Sequence, residues 1–199
     1  LTGKNLNEYT KEIGDLVKRH YPQRKASPSR VEQNLLVLGR ENLTVTLTRV
    51  IKEEIEWQEK TGGRFTPRYL ELGFGGMQKE ADGASTPNPL VLTAENSPPD
   101  RPLLRLWGKI DRVDTDGAGN FIVYDYKSGT PPTKTALIKG KYLQLPLYLL
   151  AVGRLFLPTG HPVGAAYYSL AQTHRLRGIW RQEAMDFRVK IKGTCPEER

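Results

Sequence analysis

The stretch Gly108-Lys109-Ile110-Asp111-Arg112-Val113-Asp114, followed by Val123-Tyr124-Asp125-Tyr126-Lys127-Ser128-Gly129, decides the reading of this chain. The run between them, Asp114-Thr115-Asp116-Gly117-Ala118-Gly119-Asn120, is full of turn formers. Leu103 to Val113 and Phe121 to Tyr126 therefore read as the two strands of a hairpin. Alternation along the second strand puts Asp125 and Lys127 on one face and Tyr126 on the other. A turn centred on Ala118 brings Asp111 opposite Asp125, with Cβ atoms about 5 Å apart. A slip of one residue would separate them. Two like charges opposed in this way repel, and a bound divalent cation would convert the repulsion into coordination.

Two carboxylates beside an ammonium suit phosphodiester hydrolysis. Asp111 and Asp125 would hold Mg²⁺ (or Mn²⁺), which neutralises phosphate charge and lowers the pKa of a bound water. Lys127 would orient that water or stabilise developing negative charge. Taken singly, each residue has an ordinary explanation: Asp125 as a turn flank, Lys127 as a solvated strand end, Asp111-Arg112 as a surface ion pair. The joint pattern is what carries the chemistry.

Working outward, residues 5–20 show an amphipathic helix with Leu6, Tyr9, Ile13, Leu16 and Val17 on one stripe, stopped by Tyr21-Pro22. Ser27-Pro28-Ser29 offers an N-cap with proline in the first turn of a second helix. That helix runs through Val31, Leu35, Leu38, Leu43, Leu47, Val50, Ile51 and Ile55 to Gly62-Gly63, with a kink expected near Gly39. Beyond Phe65 the pattern turns to strands at Tyr69–Phe74 and Leu90–Leu92. Loops separate these, including Ser97-Pro98-Pro99-Asp100. After Pro131-Pro132, residues 135–156 read as one helix, Val163–Leu170 as a strand, and Met185–Ile191 as a further strand. The expected fold class is mixed α/β, with an N-terminal helical segment over 1–64 and a core over 65–199 in a single domain.

The chain carries 30 Lys and Arg against 22 Asp and Glu, a net charge of +8. That balance favours a polyanionic partner, though an uninvolved basic surface meets it equally well. No apolar run approaches the roughly 20 residues of a membrane helix, and no signal peptide is evident. Cys195 is the sole cysteine, which excludes an internal disulfide and a cluster held by four thiolates of this chain. It also fits a reducing, cytoplasmic setting. The start at Leu1 and the charged end Glu197-Glu198-Arg199 lead us to expect a piece of a longer protein.

Gly-Lys-Ile-Asp-Arg-Val-Asp followed by Tyr-Asp-Tyr-Lys-Ser-Gly resembles motifs two and three of RecB-type nucleases within the PD-(D/E)xK superfamily. Gln144-Leu145-Pro146-Leu147-Tyr148 is similar to that family's Gln-x-x-x-Tyr motif, and Gln144 and Tyr148 at i and i+4 share a helix face. Pro67-Arg68-Tyr69-Leu70-Glu71-Leu72-Gly73-Phe74-Gly75 resembles the segment before motif two in the AddB-like branch of ATP-dependent helicase–exonucleases. The resemblance implies a restriction-endonuclease-like mixed β-sheet flanked by helices. It implies that Asp111 and Asp125 bind metal with the backbone carbonyl of Tyr126, that Lys127 is catalytic, and that Glu71 approaches the metal. Gln144, Tyr148, Lys109 and Arg112 are expected to support the site or contact DNA.

The activity so implied is a Mg²⁺-dependent DNA exonuclease working on single strands. They would be delivered by a helicase or ATPase domain or subunit, in double-strand-break repair and recombination. The family's motif-one histidine has no counterpart in context: His20 lies at a helix end, and His161 and His174 read as loop residues. An iron–sulfur cluster of the full-length protein would need cysteines beyond Cys195. No phosphate-binding loop of the Gly-x-x-x-x-Gly-Lys-Ser/Thr type is present, so the chain has no ATPase of its own. Two rival readings stand beside the nuclease. One is a catalytically inactive nuclease-fold module for DNA binding or assembly, and the other a sugar-phosphate or nucleotide enzyme on a different fold.

Overall fold

The computed structural model describes residues 5–21, 29–76, 83–93, 104–172 and 174–181. Two helices come first, α1 (Leu6–His20) and α2 (Arg30–Thr61). Each begins with a reciprocal capping box, Asn5 with Glu8 and Ser29 with Glu32, which satisfies donors that a helix start leaves open. Ser29 is the cap of α2; Ser27 and Pro28, expected as cap and first turn, lie outside the described residues. The helix runs without the break expected near Gly39 and ends at Gly62, whose φ of 64° is the left-handed conformation that glycine adopts without penalty. The first half of α2 leaves Val31, Leu35 and Leu38 exposed; only Glu54 and Trp57 of this helix are buried.

The strands are β1 (Thr66–Phe74), β2 (Leu90–Leu92), β3 (Leu104–Leu106), β4 (Gly108–Thr115) and β5 (Asn120–Lys127), then β6 (His161–Ser169) and β7 (His174–Trp180). The stretch expected as one strand from Leu103 to Val113 is two, divided at Trp107. Its first part pairs only with β2 in a small separate ribbon, while β4 enters the main sheet. Leu103 itself, Ser97–Asp100, Met185–Ile191 and Cys195 lie outside the described residues. β7 was not anticipated, and His161 and His174 open strands instead of lying in loops.

The main sheet has the order β1-β4-β5-β6-β7, antiparallel except where β5 meets β6. That parallel pair requires a crossover, supplied by α3 (Lys134–Ile138), α4 (Gln144–Ala151) and a π-helical segment, Val152–Phe156. These three pieces replace the single helix expected over 135–156. The chain turns after α3 through Gly140 at φ 66°, and Pro146 falls in the first turn of α4, where its missing N–H breaks no helical bond.

Central β5 is buried on both faces. Phe121 and Val123 join Leu72, Ile110, Val113 and Leu145 in the larger core. Ile122 and Tyr124 join Phe65, Val163 and Ala166 in the second. The result is a five-stranded mixed sheet flanked by helices, the architecture of the restriction-endonuclease-like fold. Among the described residues, no helix is long and apolar enough to cross a membrane.

Candidate active site

The β4–β5 hairpin pairs Thr115 with Phe121 and Arg112 with Tyr124, symmetric about residue 118 as the turn chemistry implies. The ladder then stops. Asp111 and Asp125 do not form the next backbone pair; instead Asp111 Oδ2 accepts the main-chain N–H of Tyr126 at 2.7 Å. β5 continues against β6 alone, with Asp125 opposite Tyr167 and Lys127 opposite Ser169.

A break in alternation turns Asp111 toward β5. Ile110 and Val113 are three residues apart yet share one core, as do Tyr69 and Leu72 on neighbouring β1. Strict alternation would place each pair on opposite faces, so both strands change face around Glu71 and Asp111. Glu71 shows the same feature in its backbone, with φ 56° in the left-handed region. That conformation costs a non-glycine residue about 1–3 kcal/mol. The flanking pairs Leu70↔Arg112 and Leu72↔Ile110 set Glu71 and Asp111 side by side.

Asp125 and Lys127 share a face, as alternation predicts. Lys127 Nζ lies 2.6 Å from Asp125 Oδ2. The first turn of α4 closes over the pair. Gln144 Nε2 donates to Asp125 Oδ1 at 2.7 Å, and Lys127 Nζ donates to Gln144 Oε1 at 3.1 Å. The same Gln144 amide lies 3.2 Å from the Tyr148 hydroxyl, so the i, i+4 pair works as one unit. Asp125 is 3% exposed. Burial raises its carboxyl pKa, Lys127 opposes that, and the charge of Asp111 raises it further.

A divalent cation suits this donor set. A buried carboxylate that feels a second carboxylate gains from a neighbouring +2 charge. Among the described residues no group of three or more His, Cys, Asp or Glu side chains gathers around a common point. Asp111 and Asp125 would therefore share a cation with backbone oxygen and water, as hard cations of the Mg²⁺ type accept. The Glu71 carboxylate, set beside Asp111 by the β1–β4 register, pairs with Lys109. Lys109 remains partly exposed beside that pair.

Of the two roles expected for Arg112, supporting the site or contacting DNA, burial leaves out the second. Only 3% exposed, Arg112 cannot reach a DNA backbone. Its guanidinium grips Asp114 at 2.6 and 2.7 Å and Glu54 of α2 at 2.7 and 3.1 Å. Arg175 of β7 reaches the same Glu54 at 2.9 Å. Burial pushes the Glu54 carboxyl pKa up, but the two arginines outweigh it and hold it below the ordinary value. This network anchors α2 on the sheet face opposite the Asp125 site, and Tyr126 joins it through a 3.3 Å contact from Arg112.

Sequence reading missed Glu54, Asp114 and Arg175, which stand among other charged residues of α2, β4 and β7, so nothing local singled them out. It also missed Tyr167, whose ring lies 5.4 Å from Lys127 Nζ.

Comparison with known proteins points to a nuclease family. A family model described as the PD-(D/E)XK nuclease superfamily matches residues 3–193. The chain is also 33% identical over 119 residues to the B-type subunit of the ATP-dependent helicase/deoxyribonuclease of Clostridium botulinum (strain Loch Maree / Type A3). That match covers 56% of this chain and 9% of the relative, so the chain spans a small part of the relative's length.

Proposed function

The chain belongs to the PD-(D/E)XK nuclease superfamily, and from that premise we propose that it is a Mg²⁺-dependent DNA exonuclease module hydrolysing phosphodiester bonds. The observation that carries the proposal is the Asp125–Lys127–Gln144 cluster beside Asp111. A divalent cation held by Asp111, Asp125 and the Tyr126 carbonyl would supply neutralisation of phosphate charge and activation of water.

The protein's own groups do the rest. Lys127 presents an ammonium to the non-bridging phosphate oxygens, where negative charge grows during attack. Gln144 fixes both partners of the ion pair, so the amine and the carboxylate keep one relative position. Tyr148 holds the Gln144 amide in that orientation. Lys109, partly exposed beside Glu71, contacts the strand's phosphates in this reading.

In this reading residues 1–64 and 65–199 form one folding unit, supported by the grip of Glu54 on Arg112 and Arg175. The similarity to part of a helicase/deoxyribonuclease supports DNA as the substrate. Single strands fed by a helicase partner, a role in cytoplasmic DNA repair and recombination, and an association with ATPase machinery complete the proposal. The test is cleavage of end-labelled single-stranded and duplex DNA with Mg²⁺, Mn²⁺ or EDTA, with Lys127→Ala alongside. Metal-dependent cleavage of single strands that falls at least about 100-fold in the variant is expected. Equal cleavage by both proteins removes Lys127 from the mechanism. No cleavage by the unaltered chain with either metal favours the binding or assembly module.

A further inference from the structure

Lys127 is enclosed on three sides. The Asp125 carboxylate lies at 2.6 Å and the Gln144 carbonyl oxygen at 3.1 Å. The third wall is the ring of Tyr167, its centroid 5.4 Å from the ammonium, within the roughly 6 Å over which an aromatic quadrupole attracts a cation. Tyr167 comes from β6, where it stands opposite Asp125 in the parallel pair. It is 1% exposed, and among the described residues its buried hydroxyl has no hydrogen-bond partner.

We infer that Tyr167 is a positioning residue for Lys127, acting through its ring and not through its hydroxyl. The inference rests on the reading of Lys127 as catalytic. Its physical basis is the difference between the three walls. The Asp125 carboxylate is the group a divalent cation competes for, and whatever negative charge the cation draws is lost to the ammonium. The amide oxygen and the ring carry no net charge and are not drawn away. The ring is also a rigid surface fixed in the sheet, so it limits where the flexible four-carbon stem of the lysine can place its amine. The hydroxyl has no hydrogen-bond partner among the described residues, so the ring is the part of Tyr167 that meets Lys127. An unsatisfied buried hydroxyl is a net cost to the fold, so its removal leaves the positioning intact.

Two variants separate ring from hydroxyl. Tyr167→Leu removes the ring, and Tyr167→Phe keeps it. With single-stranded DNA and Mg²⁺, Tyr167→Leu is expected to lower kcat roughly 10- to 30-fold, the scale of a lost cation–π contact, with KM within about twofold. Tyr167→Phe restores kcat to within about twofold of the unaltered chain. The second readout needs no turnover. In proton NMR of the metal-free chain, the Lys127 ε-methylene resonance, assigned through Lys127→Arg, is displaced upfield by the ring current. The displacement persists in Tyr167→Phe and vanishes in Tyr167→Leu. A Phe variant as impaired as the Leu variant would overturn the inference, because the hydroxyl would then be acting. An undisplaced Lys127 resonance in the unaltered chain overturns it as well, even if the Leu variant does not fold. Absence of cleavage in every protein, with the ring-current pattern intact, counts against the nuclease reading and not against the placement of Lys127.

Discussion

Asp111 Oδ2 accepts the main-chain N–H of Tyr126 at 2.7 Å, so a side chain of β4 stands where a backbone carbonyl would otherwise pair with β5. One carboxylate thus closes the end of the hairpin and, in the proposed function, shares a cation with Asp125. Substitutions separate the two roles. Asp111→Asn keeps an acceptor for the Tyr126 amide and removes the charge, so it should lose cleavage while remaining near the unaltered stability. Asp111→Ala should lose cleavage and about 1–3 kcal/mol of stability, since the amide is left without its acceptor. Urea denaturation of the two variants makes the comparison, and equal stability would show that the Tyr126 bond contributes nothing.

Gln144 ties Asp125 to Lys127 without carrying charge. Gln144→Leu should therefore reduce kcat about tenfold, by loosening both groups, with KM little changed. Tyr148→Phe removes only the phenol oxygen near the Gln144 amide and should have the smaller effect. Steady-state cleavage of a labelled single strand at saturating Mg²⁺ reads both. A Tyr148→Phe defect larger than that of Gln144→Leu would mean that the phenol meets the substrate itself.

The buried guanidinium of Arg112 supports the fold and lies out of reach of DNA. Arg112→Met leaves Asp114 and Glu54 facing each other without their shared cation. It should cost about 3–5 kcal/mol, the range for breaking a buried ion pair on one side. Under conditions where the variant is folded, its affinity for single-stranded DNA should match that of the unaltered chain. Chemical denaturation and fluorescence anisotropy supply the two measurements. A selective loss of DNA affinity would contradict the structural role.

Glu54 gives the fold a pH dependence of defined sign. Burial raises its carboxyl pKa, but Arg112 and Arg175 outweigh burial and leave the folded value below the ordinary one. A depressed carboxyl contributes stability that is fully present above the unfolded pKa and is lost as pH falls through the folded one. The stability difference between the unaltered chain and Glu54→Gln should stay constant from about pH 5 to 8 and shrink below about pH 4.5. A difference that grows on acidification would reverse the assignment.

How much of this was legible in the sequence depends on the range of the interactions. The hairpin register followed from local turn chemistry, because Asp114–Asn120 leaves little choice of turn centre, and the shared face of Asp125 and Lys127 followed from alternation. The change of face around Glu71 and Asp111 did not, since it needs two strands to break alternation together, and one of them is distant in sequence. Arg112 reads as a surface charge until α2, more than 50 residues earlier, brings Glu54 to it at 2.7 Å. Tyr167 reads as core because nothing near it in sequence mentions Lys127; only the parallel β5–β6 pairing joins them. The single helix expected over 135–156 fails for a local reason, a turn at Gly140 that apolar periodicity does not register.

The proposed chemistry depends first on Asp111 and Asp125 sharing one divalent cation. Crystals of the chain soaked in Mn²⁺ and measured at the manganese edge test this most directly. A single anomalous peak is expected between the two carboxylates, about 2.0–2.3 Å from an oxygen of each, and no peak in Asp125→Asn crystals treated alike. A peak elsewhere with that site empty, or the same peak in Asp125→Asn, would contradict it.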